Sequence, residues 1–134
     1  KIAVSCGRCE NHRLGLFDAY LIKENHISAC ESIKDAVDKA RFYNPELKIE
    51  VEVENLDELQ QAIDAGTDRA LLDNFDIDTL KQAIQICEGK IISEASGNIT
   101  IDNITDVAKT GVDYISTGAL TKDIKAIDLS MRFD

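Results

Sequence analysis

Short apolar runs alternate with helical hydrophobic patterns along the chain from residue 17 onward. The runs begin at Tyr20, Ile49, Ala70, Ile91 and Tyr114, and their β-branched and leucine residues are typical of buried strands. Between the runs, apolar residues recur at the spacing of one face of an amphipathic helix. We therefore predict about five strands and about four connecting helices.

Polar residues and glycines at the ends of the predicted helices support this division. Asn55, with Glu58 three residues later, has the pattern of a capping box, and Asp76 and Thr100 precede later helices in the same way. A residue with positive φ is favoured just after a helix, and three glycines hold that position: Gly66, Gly89 and Gly111. The predicted helices thus have clear ends and short connections.

Alternating strands and helices with short connections indicate a parallel sheet with right-handed crossovers. Two architectures fit this pattern: a flavodoxin-like doubly wound sheet, or part of a (β/α) barrel. The length of 134 residues favours the doubly wound sheet, because a complete barrel takes about 250 residues. In both architectures, ligands bind at the carboxyl ends of the strands.

Composition excludes some classes of function. Fifteen lysines and arginines stand against 25 acidic residues, and the net charge of −10 argues against a nucleic-acid binder with a general basic surface. The apolar stretches are shorter than the roughly 18 residues of a membrane-spanning helix. A single domain that binds small molecules remains the best interpretation.

The four cysteines provide only a weak motif. The opening residues lack a signal-peptide pattern, so we expect reduced thiols rather than disulfides. Cys6 and Cys9 have the two-residue spacing of redox and zinc motifs, and His12 follows. No second close pair completes a zinc site, so loop thiols without a redox or metal function are the better interpretation.

Acidic residues mark the carboxyl ends of two adjacent predicted strands. Glu52 and Asp73 could hold a hard divalent cation such as Mg²⁺, which prefers a few carboxylates together with substrate phosphates. Glu50, Glu52 and Glu54 alternate, as on a solvated strand face, but glutamates in a strand covered on both sides are costly to bury without partners. Asp73 could alternatively cap the helix that follows it.

Small residues follow the fourth and fifth predicted strands. Their backbone N–H groups can approach a phosphate closely, although ordinary turns have a similar composition. The residues concerned are Ser96, Gly97, Asn98, Thr117, Gly118 and Ala119. Lys23, His12 and Arg13 add local positive charge, which suits a carboxylate-bearing substrate. Together these features predict a phosphorylated substrate, a metal ion and a second, anionic substrate.

Seven segments occur in one order along the chain: residues 11–16 (NHRLGL), 21–26 (LIKENH), 50–53 (EVEV), 71–75 (LLDNF), 96–98 (SGN), 118–122 (GALTK) and 128–133 (DLSMRF). Together they closely resemble a known enzyme family, the nicotinate-nucleotide pyrophosphorylases (carboxylating), also called quinolinate phosphoribosyltransferases. The resemblance covers nearly the whole chain and favours the barrel over the doubly wound sheet.

The resemblance implies a reaction and a set of site residues. The family joins quinolinate to phosphoribosyl pyrophosphate with Mg²⁺, giving nicotinate mononucleotide, CO₂ and pyrophosphate in de novo NAD synthesis. By this resemblance, His12, Arg13 and Lys23 would contact quinolinate, with Lys23 also near the reacting centre. Glu52 and Asp73 would face the ribose and the metal–pyrophosphate, so the implied catalytic residues are Lys23, Glu52 and Asp73. The six small residues after the fourth and fifth strands would cradle phosphate.

The resemblance also implies parts that this sequence does not contain. The family has an N-terminal α/β domain and a Thr-Arg-Lys-Thr segment that binds quinolinate, and it builds its site across a dimer with an arginine from the partner. We therefore expect residues 1–134 to be the C-terminal half of an incomplete (β/α) barrel. Its parent would be a cytoplasmic enzyme that forms a homodimer or larger oligomer, and the 134 residues alone would be inactive.

The sequence leaves an alternative function open and does not show the effect of several unusual residues. A non-catalytic phosphate-binding or assembly module from a truncated homologue is the alternative function. Four residues depart from those usual in the family, and the sequence does not show their effect: Arg8, Cys9, Glu10 and Asp123.

Overall fold

Five strands and seven helices form the structure, a computed structural model that describes residues 1–122 and 124–133. Asp123, which departs from the family pattern, lies outside the described residues. The elements in chain order are α1 (Ile2–Cys6), β1 (Ala19–Ile22), α2 (Glu24–Cys30), α3 (Ile33–Tyr43), β2 (Lys48–Val53), α4 (Leu56–Asp64), β3 (Arg69–Asp73), α5 (Ile77–Cys87), β4 (Ile92–Ser96), α6 (Ile104–Ala108), β5 (Tyr114–Ile115) and α7 (Ala119–Lys122).

The strands form one parallel sheet in the order β1-β2-β3-β4-β5. Glu50 on β2 pairs with Leu21 on β1 and with Arg69 on β3, and Glu94 on β4 pairs with Tyr114 on β5. The spatial order follows the chain without a reversal, whereas a doubly wound sheet needs a switch point where the order reverses. The sheet is therefore part of a (β/α) barrel, as the resemblance implies and against the length argument.

One face of the sheet packs against the helices. Ile49, Val51 and Val53 alternate along β2 and are fully buried in the same core as Leu59 of α4 and Leu80 of α5. Burial of each such side chain contributes about 1.5–3 kcal/mol. Because successive side chains point to opposite faces of a strand, the residues between these three face away from the helices.

Two of the three predicted helix caps are confirmed. Asn55 Oδ1 accepts a hydrogen bond from the Glu58 N–H at 2.9 Å, and Asp76 Oδ1 accepts one from the Thr79 N–H at 2.7 Å. The Glu58 carboxylate accepts the N–H of Glu54, the residue before the N-cap, so the contact differs from the capping box that the spacing predicts, in which the N-cap N–H is the donor. The three predicted glycines have positive φ, at 75°, 69° and 88° in chain order.

The prediction for Thr100 is wrong. Helix α6 begins at Ile104, after Asn103, because residues 101–103 form a turn instead of the first helical residues. The Asn103 side chain accepts a hydrogen bond from the Thr100 N–H at 2.8 Å and stabilises this turn.

The sequence analysis did not predict helix α2. Lys23 is the residue before the helix, and its backbone N–H donates to His26 Nδ1 at 3.0 Å. The helix has no fully buried residue, so it lacks the apolar periodicity by which a helix is recognised. None of the helices within residues 1–122 and 124–133 is long and apolar enough to cross a membrane.

Candidate active site

Charged side chains gather on the face of the sheet that points away from the helices. They come from β2, β3 and β4 and from the residue that follows β1. The residues are Lys23 after β1, Glu50 and Glu52 on β2, Arg69 and Asp73 on β3, and Glu94 on β4. We call this set the inner-face cluster.

Lys23 and Glu52 form an ion pair between neighbouring strands. Lys23 follows β1 directly, and its Nζ donates a hydrogen bond to Glu52 Oε2 on β2. The Glu52 side chain is largely buried and that of Lys23 is partly exposed. The structure thus brings together two of the three predicted catalytic residues, with a cation and an anion side by side at the carboxyl edge.

His12 and Arg13 lie in the loop before β1, next to the inner-face cluster. His12 Nε2 is 3.0 Å from Glu50 Oε2, and Arg13 Nη1 donates to the Ala19 carbonyl at 3.1 Å. Burial lowers the pKa of His12, with a smaller effect of the same sign from the Arg13 cation, while the Glu94 carboxylate acts in the opposite direction. The loop therefore places one cation, Arg13, and one imidazole, His12, where an anionic ligand could meet them.

Asp73 is held by a network that joins the loops after β3 and β4. Asp73 Oδ2 accepts from Asn74 Nδ2 at 2.7 Å, and Asn74 Oδ1 accepts from Asn98 Nδ2 at 2.9 Å. The backbone N–H of Asn74 also donates to the Ser96 carbonyl at 2.9 Å. Asp73 does not cap α5, because Asp76 does, so its carboxylate is free for another role.

Gly97 allows the two loops to approach each other. Its φ is +86°, and a Cβ atom there would lie 2.7 Å from the Asn74 backbone nitrogen and still closer to the Asn74 side chain. Asn74 and Asn98 have positive φ as well, at 57° and 50°. The predicted segment 96–98 is therefore a tight, backbone-lined turn beside Asp73.

The segment after β5 is organised by a hydroxyl group. Thr117 Oγ1 donates to the Ile99 carbonyl at 2.9 Å and accepts from the Ala119 N–H at 3.2 Å. These contacts tie Thr117, Gly118 and Ala119 to the loop that follows Asn98. The two predicted phosphate segments thus lie next to each other, at the ends of adjacent strands.

The sequence analysis missed part of the inner-face cluster. Arg69 Nη1 donates to Glu94 Oε2 at 2.6 Å, Ser116 Oγ donates to Glu94 Oε1, and the Arg69 guanidinium lies 4.3 Å from the centroid of the Tyr114 ring. Glu94 is 2% exposed. A glutamate in a predicted strand that is covered on both sides is the signal that singled out Glu52, and it applies equally to Glu94.

Glu50 is the most perturbed carboxyl group of the cluster. Its side chain is buried, and burial together with the like charge of Glu94 raises its pKa to about 7. The Arg69 cation reduces this effect without cancelling it.

Two groups of side chains offer ligand atoms for a cation. Ligand atoms of His12, Glu50 and Glu94 lie within 4.8 Å of one another, the one such group among residues 1–122 and 124–133. The predicted pair, Glu52 and Asp73, is separate from it. Glu52 is neutralised by Lys23, whereas one oxygen of Asp73 faces Asn74 and leaves the other for a ligand. A Mg²⁺ ion that arrives with phosphate oxygens fits Asp73, since Mg²⁺ is commonly held by one or two carboxylates.

A cavity of about 780 Å³ lies at the opposite end of the sheet. It is lined by residues such as Asp68, Cys87 and Asp113 and by none of the predicted site residues. All four cysteines carry free thiols, and none of them belongs to the group of potential metal ligands.

The fold and the inner-face cluster together define a class: a (β/α)-barrel segment with paired charges and glycine turns at the carboxyl ends of its strands. Residues 1–132 match the family model described as "Quinolinate phosphoribosyl transferase, C-terminal domain". The chain therefore belongs to the quinolinate phosphoribosyltransferase family.

Individual relatives agree with this assignment. The chain is 44% identical over 132 residues to the "Probable nicotinate-nucleotide pyrophosphorylase (carboxylating)" of Bacillus subtilis (strain 168), covering 98% of this chain and 46% of that protein. The solved nicotinate-nucleotide pyrophosphorylase of Francisella tularensis is 56% identical, with a TM-score of 0.91 over 96% of this chain and 46% of that chain. The chain thus spans about half the length of these relatives.

A more distant structure shares the fold. The thiamine phosphate pyrophosphorylase of Pyrococcus furiosus is 25% identical, with a TM-score of 0.62 over 75% of this chain and 48% of that chain.

Proposed function

We propose that this chain supplies the carboxyl-end site of an enzyme that transfers phosphoribose from phosphoribosyl pyrophosphate to quinolinate. The products would be nicotinate mononucleotide, CO₂ and pyrophosphate. The observation that carries the proposal is the Lys23–Glu52 ion pair. His12 contacts Glu50 on the same strand as Glu52, and the turns after β4 and β5 lie at the same edge of the sheet as the ion pair. Family membership over residues 1–132 supports it.

The cations account for binding of a dicarboxylate. His12, Arg13 and Lys23 come from the loop before β1 and the residue after it, so they can surround an anion from one side. Charge-assisted hydrogen bonds to carboxylates are about twice as strong as neutral ones. These three residues would therefore bind quinolinate and orient its ring nitrogen toward the sugar.

The carboxylates account for stabilisation of the reacting sugar. The ring nitrogen attacks the anomeric carbon as the bond to pyrophosphate breaks, and positive charge develops on the ribose. Glu52 can stabilise that charge once Lys23 turns to the substrate carboxylate. Loss of CO₂ then breaks the bond at ring carbon 2, and this carbon takes up a proton.

Asp73 and the two turns would hold the phosphate groups. Asp73 would contact Mg²⁺, which neutralises the charge of the leaving pyrophosphate. Backbone N–H groups of the 96–98 and 117–119 segments can approach phosphate oxygens because both turns contain glycine. Their adjacency at the carboxyl edge supports one shared phosphate site.

We further infer a cytoplasmic enzyme that acts as a homodimer or larger homo-oligomer. Four free thiols are typical of a reducing compartment. The three residues proposed to bind quinolinate, His12, Arg13 and Lys23, are few for a dicarboxylate and a sugar phosphate, which supports a site completed by residues outside this chain.

An assay of the intact polypeptide in which these residues occur tests the proposal. Quinolinate, phosphoribosyl pyrophosphate and Mg²⁺ should give nicotinate mononucleotide and an equal amount of CO₂. Lys23→Met should lower kcat/KM about 100-fold or more, because it removes a cation at the reacting centre. The matched control is Lys34→Met, which removes an exposed lysine paired with Asp38 on α3 and should leave kcat/KM unchanged.

Two results would contradict the proposal. One is the absence of quinolinate-dependent product from the unaltered protein. The other is a Lys23→Met variant as active as the Lys34→Met control. Binding of phosphoribosyl pyrophosphate without turnover would favour the non-catalytic module instead.

A further inference from the structure

Glu50 is a buried carboxylate for which the reaction described above has no use. Its side chain is 7% exposed and lies between His12 and Glu94. Oε2 is 3.0 Å from His12 Nε2, whereas Oε1 is buried and has no hydrogen-bond partner among the described residues. A buried carboxylate with one unsatisfied oxygen is costly, so its remaining contact must matter for the site.

A metal ion does not explain this arrangement. His12, Glu50 and Glu94 could each offer a ligand atom, but both Glu94 oxygens already accept hydrogen bonds, from Arg69 and Ser116. The Arg69 guanidinium lies against Glu94 and would repel a divalent cation there. The contact that remains for Glu50 is the His12 ring.

The contact determines which edge of the His12 ring is free. With Nε2 bonded to the Glu50 carboxylate, Nδ1 is the nitrogen left for a ligand. Burial lowers the pKa of His12, so the ring without a ligand is neutral and its one N–H is donated to Glu50. An anionic ligand favours protonation of the ring, and the imidazolium can then donate the second N–H, at Nδ1, to a substrate carboxylate. Glu50 therefore fixes both the ring orientation and the donor that a substrate meets.

Building on the proposed function, we propose that Glu50 is a positioning residue that holds the His12 ring for binding of a quinolinate carboxylate. Glu50 itself does not touch the substrate. Arg69 and Ser116 engage Glu94 and keep it from competing for the same space. The proposal predicts a defect in quinolinate binding with little change in the chemical step.

Glu50→Leu removes the acceptor while keeping the position filled, and Glu50→Gln keeps a neutral acceptor. Loss of a charged hydrogen bond should raise the KM for quinolinate about 10-fold in Glu50→Leu, with a smaller increase in Glu50→Gln. The KM for phosphoribosyl pyrophosphate and kcat should change less than about twofold, because the interaction is the same in ground and transition states. Glu54→Gln, an exposed glutamate next to β2, is the matched control and should behave as the unaltered protein.

A double-mutant cycle shows whether Glu50 acts through His12. In a His12→Ala background, Glu50→Leu should change the KM for quinolinate less than about twofold, since the ring it positions is gone. An equal effect in both backgrounds would overturn the proposal, as would an unchanged KM in Glu50→Leu.

Nitrogen NMR of the unaltered protein gives a test that needs no variant. Above pH 8, the neutral His12 ring should carry its hydrogen on Nε2, and a hydrogen on Nδ1 would overturn the proposal. If the unaltered protein forms no nicotinate mononucleotide, the proposed function fails while these spectra still test the contact. If the protein is active and Glu50→Leu matches it, only the positioning role fails.

Discussion

Glu50, Glu52 and Glu54 follow one another at two-residue intervals at β2, yet they meet three different environments. Glu54 is exposed, Glu52 is paired with Lys23, and Glu50 is buried beside His12 with its pKa raised to about 7. Glu50 pairs with residues of both neighbouring strands and Glu52 with one, whereas Glu54 lies beyond the end of β2 at Val53. The three glutamates therefore differ in burial and in the groups that they contact.

Asp68 is the strongest case of a residue whose charge stabilises the fold. It lies just before β3, at the end of the sheet opposite the candidate site, and accepts hydrogen bonds from Lys48, the Ile49 N–H and Arg41. Burial alone would raise the pKa of Asp68, but these three donors outweigh it and lower the pKa to about 2. The charged form is thus favoured in the folded state.

We predict that Asp68→Asn lowers the free energy of unfolding by about 1–2 kcal/mol at pH 7, after allowance for solvent screening. Because the folded-state pKa is depressed, the stabilisation is complete above the unfolded-state value near 4. It is lost as the pH falls toward about 2. Urea denaturation between pH 7 and pH 2 measures the difference between the two proteins. Asp102→Asn, at an exposed turn position, is the control. A difference that is constant over this range would contradict the prediction.

At the scale of elements, the loops after β3 and β4 act as one unit. Asn74 bonds to Asp73, Ser96 and Asn98, and Gly97 lies close against it. A loop pair joined in this way holds the Asp73 carboxylate and the backbone N–H groups of the turn in a fixed relation. The geometry of the proposed phosphate site therefore depends on a glycine at position 97, because a Cβ atom there would clash with Asn74.

Gly97→Ala should therefore destabilise the protein and weaken binding of phosphoribosyl pyrophosphate. We expect a loss of about 3 kcal/mol, from the positive φ and the clash with Asn74 together. Gly89→Ala is the matched control, because Gly89 has φ +69° with nothing within 4 Å of the added Cβ, and should cost about 1 kcal/mol. Thermal unfolding and the KM for phosphoribosyl pyrophosphate measure both effects. Equal losses in the two variants, with an unchanged KM, would show that the contact with Asn74 is unimportant.

At the scale of the whole molecule, the sheet has two open edges. β1 and β5 each have a single strand neighbour among the described residues. Large apolar side chains are exposed as well, and Leu16 and Phe17, just before β1, are 81% and 74% exposed. Unpaired strand edges and exposed apolar surface both promote association.

We predict that a polypeptide of these 134 residues self-associates. Sedimentation at tens of micromolar should give a mass above the 14.8 kDa of one chain. Replacing Leu16 and Phe17 together by serine should lower that mass, since it removes apolar surface beside the β1 edge. Phe42→Ser is the control and removes an exposed ring from helix α3. A single species of 14.8 kDa would contradict the prediction.

Local patterns determine the features that depend on neighbours in the chain. The alternation of apolar runs located all five strands, and the caps at Asn55 and Asp76 follow from side chains three residues away from their partners. Thr100 shows the limit of this reasoning, because Asn103 competes for the same turn. Helix α2 escaped prediction because it is short and none of its side chains is fully buried, so it has no clear apolar face.

The sequence by itself determined the order of the five strands and of the four helices that connect them, and it placed Lys23, Glu52 and Asp73 at strand ends, since these features depend on residue type and spacing. Tertiary structure alone decided that the sheet order follows the chain and that Glu94 meets Arg69. It also decided that Glu50 meets His12, 38 residues away. Register between parallel strands sets such contacts, and it depends on how the whole sheet packs against its helices. No local pattern carries that information.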